Sequence, residues 1–257
     1  MLSHHSGSCG VGFVCNVNGI KSYEIVKWGI EAVKNLTHRG AVGADGKTGD
    51  GAGILIQIPG KFFSKEIEKS GYELSHRDNL AVGFFFLYKS LEPEIEFSVK
   101  KYGFKIIGWR NVPTNDNALG ESALSTKPQI KQLLINTEEI EQGKRELTLY
   151  LARREIEKKF GTHVYIPSLS SKTIIYKGLL VAPQLDRFYP DLTAEDFESA
   201  FCIFHQRFST NTSPDWTLAQ PFRVLSHNGE INTIQGNRNW IASIERDIQH
   251  ELFASYE

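Results

Sequence analysis

Cys9-Gly-Val-Gly-Phe-Val-Cys-Asn-Val17 mixes small and apolar residues and runs into Asn18-Gly19. An Asn-Gly pair tolerates positive φ, so the stretch predicts a strand entering a tight turn, with a thiol at its head between small neighbours. Eight residues precede Cys9. If they were removed, Cys9 would carry a free α-amine of pKa about 8, able to take the thiol proton, whereas an amide nitrogen is not basic. The same stretch also reads as a loose start followed by an ordinary buried cysteine. Position alone does not separate the two.

Downstream of the turn, Val26, Ile30, Val33 and Leu36 recur at helical spacing, which predicts a helix with one buried face and Ser22 as its cap. Six glycines follow between Arg39 and Gly53, at 40, 43, 46, 49, 51 and 53, before strand-like character resumes at Ile54 to Ile58. Aromatic and branched residues predict further strands at 80–87, 104–109, 173–180, 201–208 and 222–226. Helices are expected at 92–101, 146–160 and 232–248, and surface loops at 111–124 and 165–172. Together these predict an α+β protein with a mostly antiparallel sheet core, without internal repeats or low-complexity tracts.

Bulk properties narrow the classes. With 257 residues, 40% hydrophobic and 23% charged, the chain can bury a sizeable core. Its 29 basic and 30 acidic side chains nearly cancel, which argues against polyanionic partners such as nucleic acid or an anionic membrane surface. The longest apolar run, near 81–87, is far short of the roughly 20 residues that cross a bilayer. The residues before Cys9 lack the basic start and apolar core of a signal peptide. Cys9, Cys15 and Cys202 cannot all pair within the chain and form no CxxC motif, which fits a reducing compartment, and the cytoplasm is expected.

Candidate chemistry elsewhere is sparse. Asn228-Gly229 predicts a type I′ hairpin turn, and on a rigid turn an Asn amide and a Gly N–H also suit an oxyanion hole. Arg207, followed by the hydroxyls of Ser209 and Thr210, suits a clamp on a substrate carboxylate or a structural ion pair. Gly49-Asp-Gly-Ala-Gly53 is not a phosphate loop: a strand rather than a helix follows, and Lys47-Thr48 precedes the glycines where Gly-Lys-Ser/Thr would close the motif. Those glycines instead suit positive φ or close backbone approach in a packed loop. His38, His205 and His227 show no metal-ligand spacing, and Asp45 and Asp50 suit turn or cap roles better than a carboxylate pair.

The set as a whole resembles one family, the class II glutamine amidotransferase domain of the glutamate synthase large subunit. The resemblance is carried by Cys9-Gly-Val-Gly-Phe13, by His38-Arg-Gly-Ala41 leading to Ala44 through Gly53, and by Gly108-Trp-Arg110 with Val112-Pro113. It continues in His205-Gln-Arg-Phe-Ser-Thr-Asn-Thr212, Leu218-Ala-Gln-Pro-Phe-Arg223, His227-Asn-Gly-Glu-Ile-Asn-Thr233 and Gly236-Asn237.

By that resemblance, residues 1–8 are a propeptide and 9–257 an incomplete amidotransferase domain. The implied fold is a four-layer αββα N-terminal-nucleophile sandwich with two antiparallel sheets, truncated at its C-terminal side. Cys9 is implied as nucleophile with its α-amine as base, Asn228 and Gly229 as oxyanion hole, and Arg207, with Ser209 and Thr210, as substrate-binding residues. The implied reaction is hydrolysis of L-glutamine through a Cys9 thioester, without a cofactor in this chain. Ammonia then passes to a synthase domain or subunit carrying FMN and an iron-sulfur cluster, which aminates 2-oxoglutarate. The family's acidic residue that holds the substrate amino group, in a Ser-Asp-Ser type motif, has no match before Glu257. That departure leaves a non-catalytic docking remnant as one alternative, and hydrolysis of a different amide on the same fold as another.

Overall fold

The computed structural model describes residues 9–206, 214–224 and 234–248. Strands are β1 (Gly10–Cys15), β2 (Ala52–Gln57), β3 (Leu80–Leu87), β4 (Lys105–Asn111), β5 (Gln129–Asn136), β6 (Val164–Ser170), β7 (Thr173–Gly178) and β8 (Phe201–Gln206). Helices are α1 (Tyr23–Asn35), α2 (Gly60–Glu68), α3 (Glu92–Lys101), α4 (Glu121–Ser125), α5 (Arg145–Phe160), α6 (Leu185–Phe188) and α7 (Ile234–Ile244). Among the described residues the strands form two four-stranded sheets, β1-β8-β2-β7 and β4-β5-β3-β6. Every strand pair is antiparallel. The α+β class with two antiparallel sheets is therefore the architecture of the chain, consistent with the sandwich expected from the resemblance.

The middle of the second sheet shows why it forms. Phe84 and Phe86 of β3 point into a core shared with β2, β7, β8, α1 and α2, while Phe85 between them points into a second core with α3 and α5. All three rings are fully buried. A strand apolar on both faces has to be central and covered on both sides. Each such ring contributes roughly 1.5–3 kcal/mol by leaving water.

A buried polar knot joins the two sheets. Arg110 of β4 donates to both carboxylate oxygens of Asp191, at 2.7 Å each, and to Glu66 of α2 at 2.6 Å. The Tyr176 hydroxyl of β7 donates to the same Asp191 at 2.7 Å and accepts from Gln132 of β5 at 2.8 Å. A bidentate, charge-assisted pair of this kind fixes orientation as well as distance. Despite its burial, the Arg110 guanidinium is held well above its ordinary pKa by Asp191.

Several boundaries differ from the sequence-based expectation. Residues 165–172, expected as a surface loop, lie mostly in the buried strand β6. Pro167 and three serines hid it: Pro167 is tolerated because β6 is an edge strand whose register shifts beside Phe84 and Phe86. The Ser168 and Ser170 hydroxyls are satisfied by the Ile175 amide and by Glu146. Strand β5 was not anticipated because buried Gln132 breaks its apolar pattern, and helix α2 was also unforeseen. The expected loop at 111–124 contains buried Val112, Leu119 and Ala123 and the start of α4. Residues 222–224 of the strand expected at 222–226 are not extended strand. Ser22 occupies the N-cap position of α1, but its side chain makes no capping bond and its backbone bridges Ser199 instead.

Candidate active site

Cys9 is buried at the head of β1. The glycines that follow explain how the strand sits. A Cβ on Gly10 would lie 2.8 Å from Leu36, and one on Gly12 would lie 2.6 Å from the Phe204 ring. Gly10 and Gly12 thus occupy the face against which α1 and its C-terminal residue pack. Side chains alternate along a strand, so Val11 faces the other way, and Cys9, two residues earlier, enters β1 on the same side as Val11.

Cross-strand partners define what else shares that face. Val11 stands opposite His205, His205 opposite Gly53, and Gly53 opposite Lys177, giving one row across the whole sheet. His205 and Lys177 are completely buried. The neighbouring row, Gly10, Gln206, Ala52 and Gly178, lies at the sheet end where β1 begins. Cys9 therefore stands at one end of the first sheet, on the face that carries His205 and Lys177.

The glycine-rich loop serves packing. Gly49 sits so close to residues 180 and 181 that a Cβ would lie 2.1 Å from the Leu180 carbonyl carbon. Gly51, at φ 128°, lies under Ala219, and Gly53 lies under the carbonyl oxygen of Gln220. Gly178 leaves the space taken by the Trp216 ring, whose indole N–H donates to the Ala123 carbonyl at 3.1 Å. Removing side chains at these positions lets the segment 216–220 lie directly on the sheet. The reading of these glycines as positions of close backbone approach and positive φ in a packed loop is borne out.

Asp45 organises the same loop. It accepts from the amides of Lys47, Thr48 and Ser122 and from the Thr48 hydroxyl, a turn role of the kind expected. The Thr48 hydroxyl above all holds its carboxyl well below the usual range. His38 lies against the Asn35 carbonyl at 3.1 Å. Among the described residues no group of three or more His, Cys, Asp or Glu is placed to hold a metal ion. Cys202 is buried against the α1 glycine Gly29, and burial pushes its thiol far above its ordinary pKa, whereas Cys15 is exposed. Among the described residues no helix is long and apolar enough to cross a membrane.

Reading from the sequence passed over Lys177, in the otherwise apolar Thr173-Ile-Ile-Tyr-Lys-Gly-Leu-Leu180. A lone lysine in an apolar strand was the available signal. Its ammonium donates to the carbonyls of Ala219 at 2.5 Å and Thr217 at 3.0 Å and to the Tyr165 hydroxyl at 2.8 Å. Arg207, Ser209, Thr210, His227, Asn228 and Gly229 lie outside the described residues. Gln206, paired with Gly10, and Val224 are the described residues that lead into those two stretches.

Over residues 9–257 the chain matches the class-II glutamine amidotransferases. It is 47% identical over 261 residues to the NADPH glutamate synthase large chain of Azospirillum brasilense, an alignment covering 97% of this chain and 17% of that protein. It is 41% identical over 257 residues to the ferredoxin-dependent glutamate synthase of Pyropia yezoensis, covering 96% of this chain and 17% of that protein. The NADPH glutamate synthase large chain of Bacillus subtilis is 40% identical over 257 residues with the same coverage. The chain thus spans a minor part, 17%, of the length of these relatives. A match beginning at the buried thiol that heads β1 and running through both antiparallel sheets makes this chain a member of the class-II glutamine amidotransferases, a glutamine amidotransferase domain.

Proposed function

We propose that this domain is the glutaminase module of a glutamate synthase, with Cys9 as nucleophile after removal of residues 1–8. The observation that carries the reading is the burial of Cys9 at the head of β1, at the residue where the family match begins. Once Cys9 is N-terminal, its α-amine takes the thiol proton, directly or through a water. The thiolate attacks the side-chain amide carbon of glutamine. Asn228 and Gly229 stabilise the oxyanion that forms, and the amine returns its proton to the departing nitrogen, which leaves as ammonia. Water then hydrolyses the γ-glutamyl thioester to glutamate and frees the thiol. Arg207 clamps the substrate α-carboxylate, with Ser209 and Thr210 beside it.

The names of the relatives support the next step in the proposal, delivery of ammonia to a synthase domain that aminates 2-oxoglutarate. FMN and an iron-sulfur cluster belong to that domain, and none of the steps above needs either group. The unpaired cysteines suit a reducing compartment, and the cytoplasm is the location we propose.

The test is the mass of the N-terminal region before and after incubation with the glutamine analogue 6-diazo-5-oxo-norleucine. Loss of residues 1–8 and a single adduct on Cys9, absent in Cys9→Ala, are expected. A processed chain that takes no adduct would remove glutamine from the proposal.

A further inference from the structure

We propose that a cavity at the end of the first sheet remote from Cys9 binds a small phosphate-bearing anion, free phosphate or a compact phosphate ester, through Lys21, Arg77 and Lys172. The site is separate from the glutamine chemistry proposed at Cys9 and does not depend on it.

The cavity has a volume of about 490 Å³, within the range of small-molecule sites. It opens where Gln57 ends β2, Thr173 begins β7, Phe201 begins β8 and Leu80 begins β3, so strand ends of both sheets form its walls. Ala52, at the other end of β2, pairs with Gln206, and Gln206 pairs with Gly10. Five residues of strand, about 17 Å, thus separate the cavity from the end of the sheet where Cys9 stands.

Its charged lining is unbalanced: Lys21, Lys61, Arg77 and Lys172 against Asp78 and Glu198. Both carboxylates have partners, Glu198 with Lys61 at 2.8 Å and Asp78 beside the His76 imidazole at 3.5 Å. Among the described residues no carboxylate pairs with Lys21, Arg77 or Lys172, whereas Lys34, Lys65, Lys100 and Lys131 elsewhere each hold one. The three unmatched cations come from separate segments, ahead of α1, ahead of β3 and between β6 and β7, and meet around one hollow. Like charges gathered this way raise a positive potential that a bound polyanion relieves.

Arg77 has its stem fixed: its Cδ lies 3.8 Å from where a Cβ on Gly60 would stand, so the side chain runs over the first turn of α2. That turn carries neither an acidic side chain nor a side-chain cap, which leaves its partial positive charge uncancelled beside the cavity. A carboxylate presents two oxygens in one plane and suits a partner approaching from one side. A phosphate presents three acceptor oxygens spread over a tetrahedron, which suits donors arriving from three segments.

The experiment is titration calorimetry on the full-length polypeptide at constant ionic strength, with inorganic phosphate, glycerol 3-phosphate and malonate as probes. Saturable binding of a phosphate probe is expected, weakened roughly tenfold or more by Arg77→Gln and by Lys172→Gln, the scale of one charge-assisted hydrogen bond. Lys105→Gln, which removes a cation paired with Glu139 outside the cavity, is expected to leave the dissociation constant unchanged. Unfolding temperatures show that each variant folds, and Lys21→Gln with Lys172→Gln carries the test if Arg77→Gln does not. Tighter binding of the ester puts its carbon body in the cavity, and tighter binding of inorganic phosphate makes the free ion the ligand; either order supports the site. Absence of saturable binding, equal weakening by Lys105→Gln, or malonate binding more tightly than both phosphates would overturn the proposal.

Discussion

The carbonyl oxygen of Gln220 occupies the place where a side chain on Gly53 would be: a Cβ there would stand 2.7 Å from that oxygen and 2.5 Å from the Cβ of Lys177. Both contacts are with groups fixed by other bonds, backbone in one case and a strand residue in the other. Gly53→Ala is therefore expected to be destabilising by roughly 1–3 kcal/mol, the usual cost of overpacking. Thermal unfolding would read this as a clear drop in Tm, and an unchanged Tm would mean that the 217–220 segment moves freely.

The knot around Asp191 makes a second expectation. Asp191→Ala leaves the Arg110 guanidinium buried with only Glu66 as a carboxylate partner, and it also strips the Tyr176 hydroxyl of its acceptor. A loss of roughly 3–5 kcal/mol is expected in urea unfolding. The double variant Arg110→Met, Asp191→Leu should recover much of it, because no orphaned charge remains. Recovery no better than the single variant would show that the ion pair itself holds the two sheets together.

Lys177 also sets a pH dependence. Burial first, and then the nearby Arg223, hold its amine well below the ordinary 10.5, while Asp215 acts weakly in the opposite sense. The folded state therefore releases this proton before the unfolded state does. Between the lowered folded value and 10.5 the unfolded chain binds more protons, so the stability contributed by this group rises with pH across that window. Below the folded value the burial cost is present in full. The difference in Tm between wild type and Lys177→Met should thus change in favour of wild type as pH rises toward 10.5. A difference independent of pH would mean that Lys177 titrates normally in the fold.

For Arg207, the expectation follows from the proposed carboxylate clamp. Charge-assisted hydrogen bonds contribute about 1.5–3 kcal/mol, so Arg207→Ala should raise KM for glutamine roughly 10–100-fold with a smaller change in kcat. Steady-state kinetics decide it, and an unchanged KM would count against a carboxylate-bearing substrate.

Much of the architecture was legible in local pattern. Helix α3 and strand β3 begin and end where periodicity and aromatic content put them, because each has one well-defined apolar face or is apolar throughout. The Cys9 strand and its turn were equally plain, since Gly19 does take positive φ at 72°. Strand β6 was not, because Pro167 and the serines look like loop chemistry until the edge position, the register shift and Glu146 account for them. Likewise Gln132 in β5 reads as polar until Arg110 and Tyr176 are seen to bond it.

By itself the sequence determined the fold class, the strand carrying Cys9 and the family, because these depend on short-range periodicity and on motifs contiguous along the chain. Only the tertiary structure decided that Val11, His205, Gly53 and Lys177 form one row, and that residues 217–220 lie across it. Cross-strand register joins residues more than a hundred positions apart. A lysine's role depends on which carbonyls the fold brings to its three donors, and no local pattern records that.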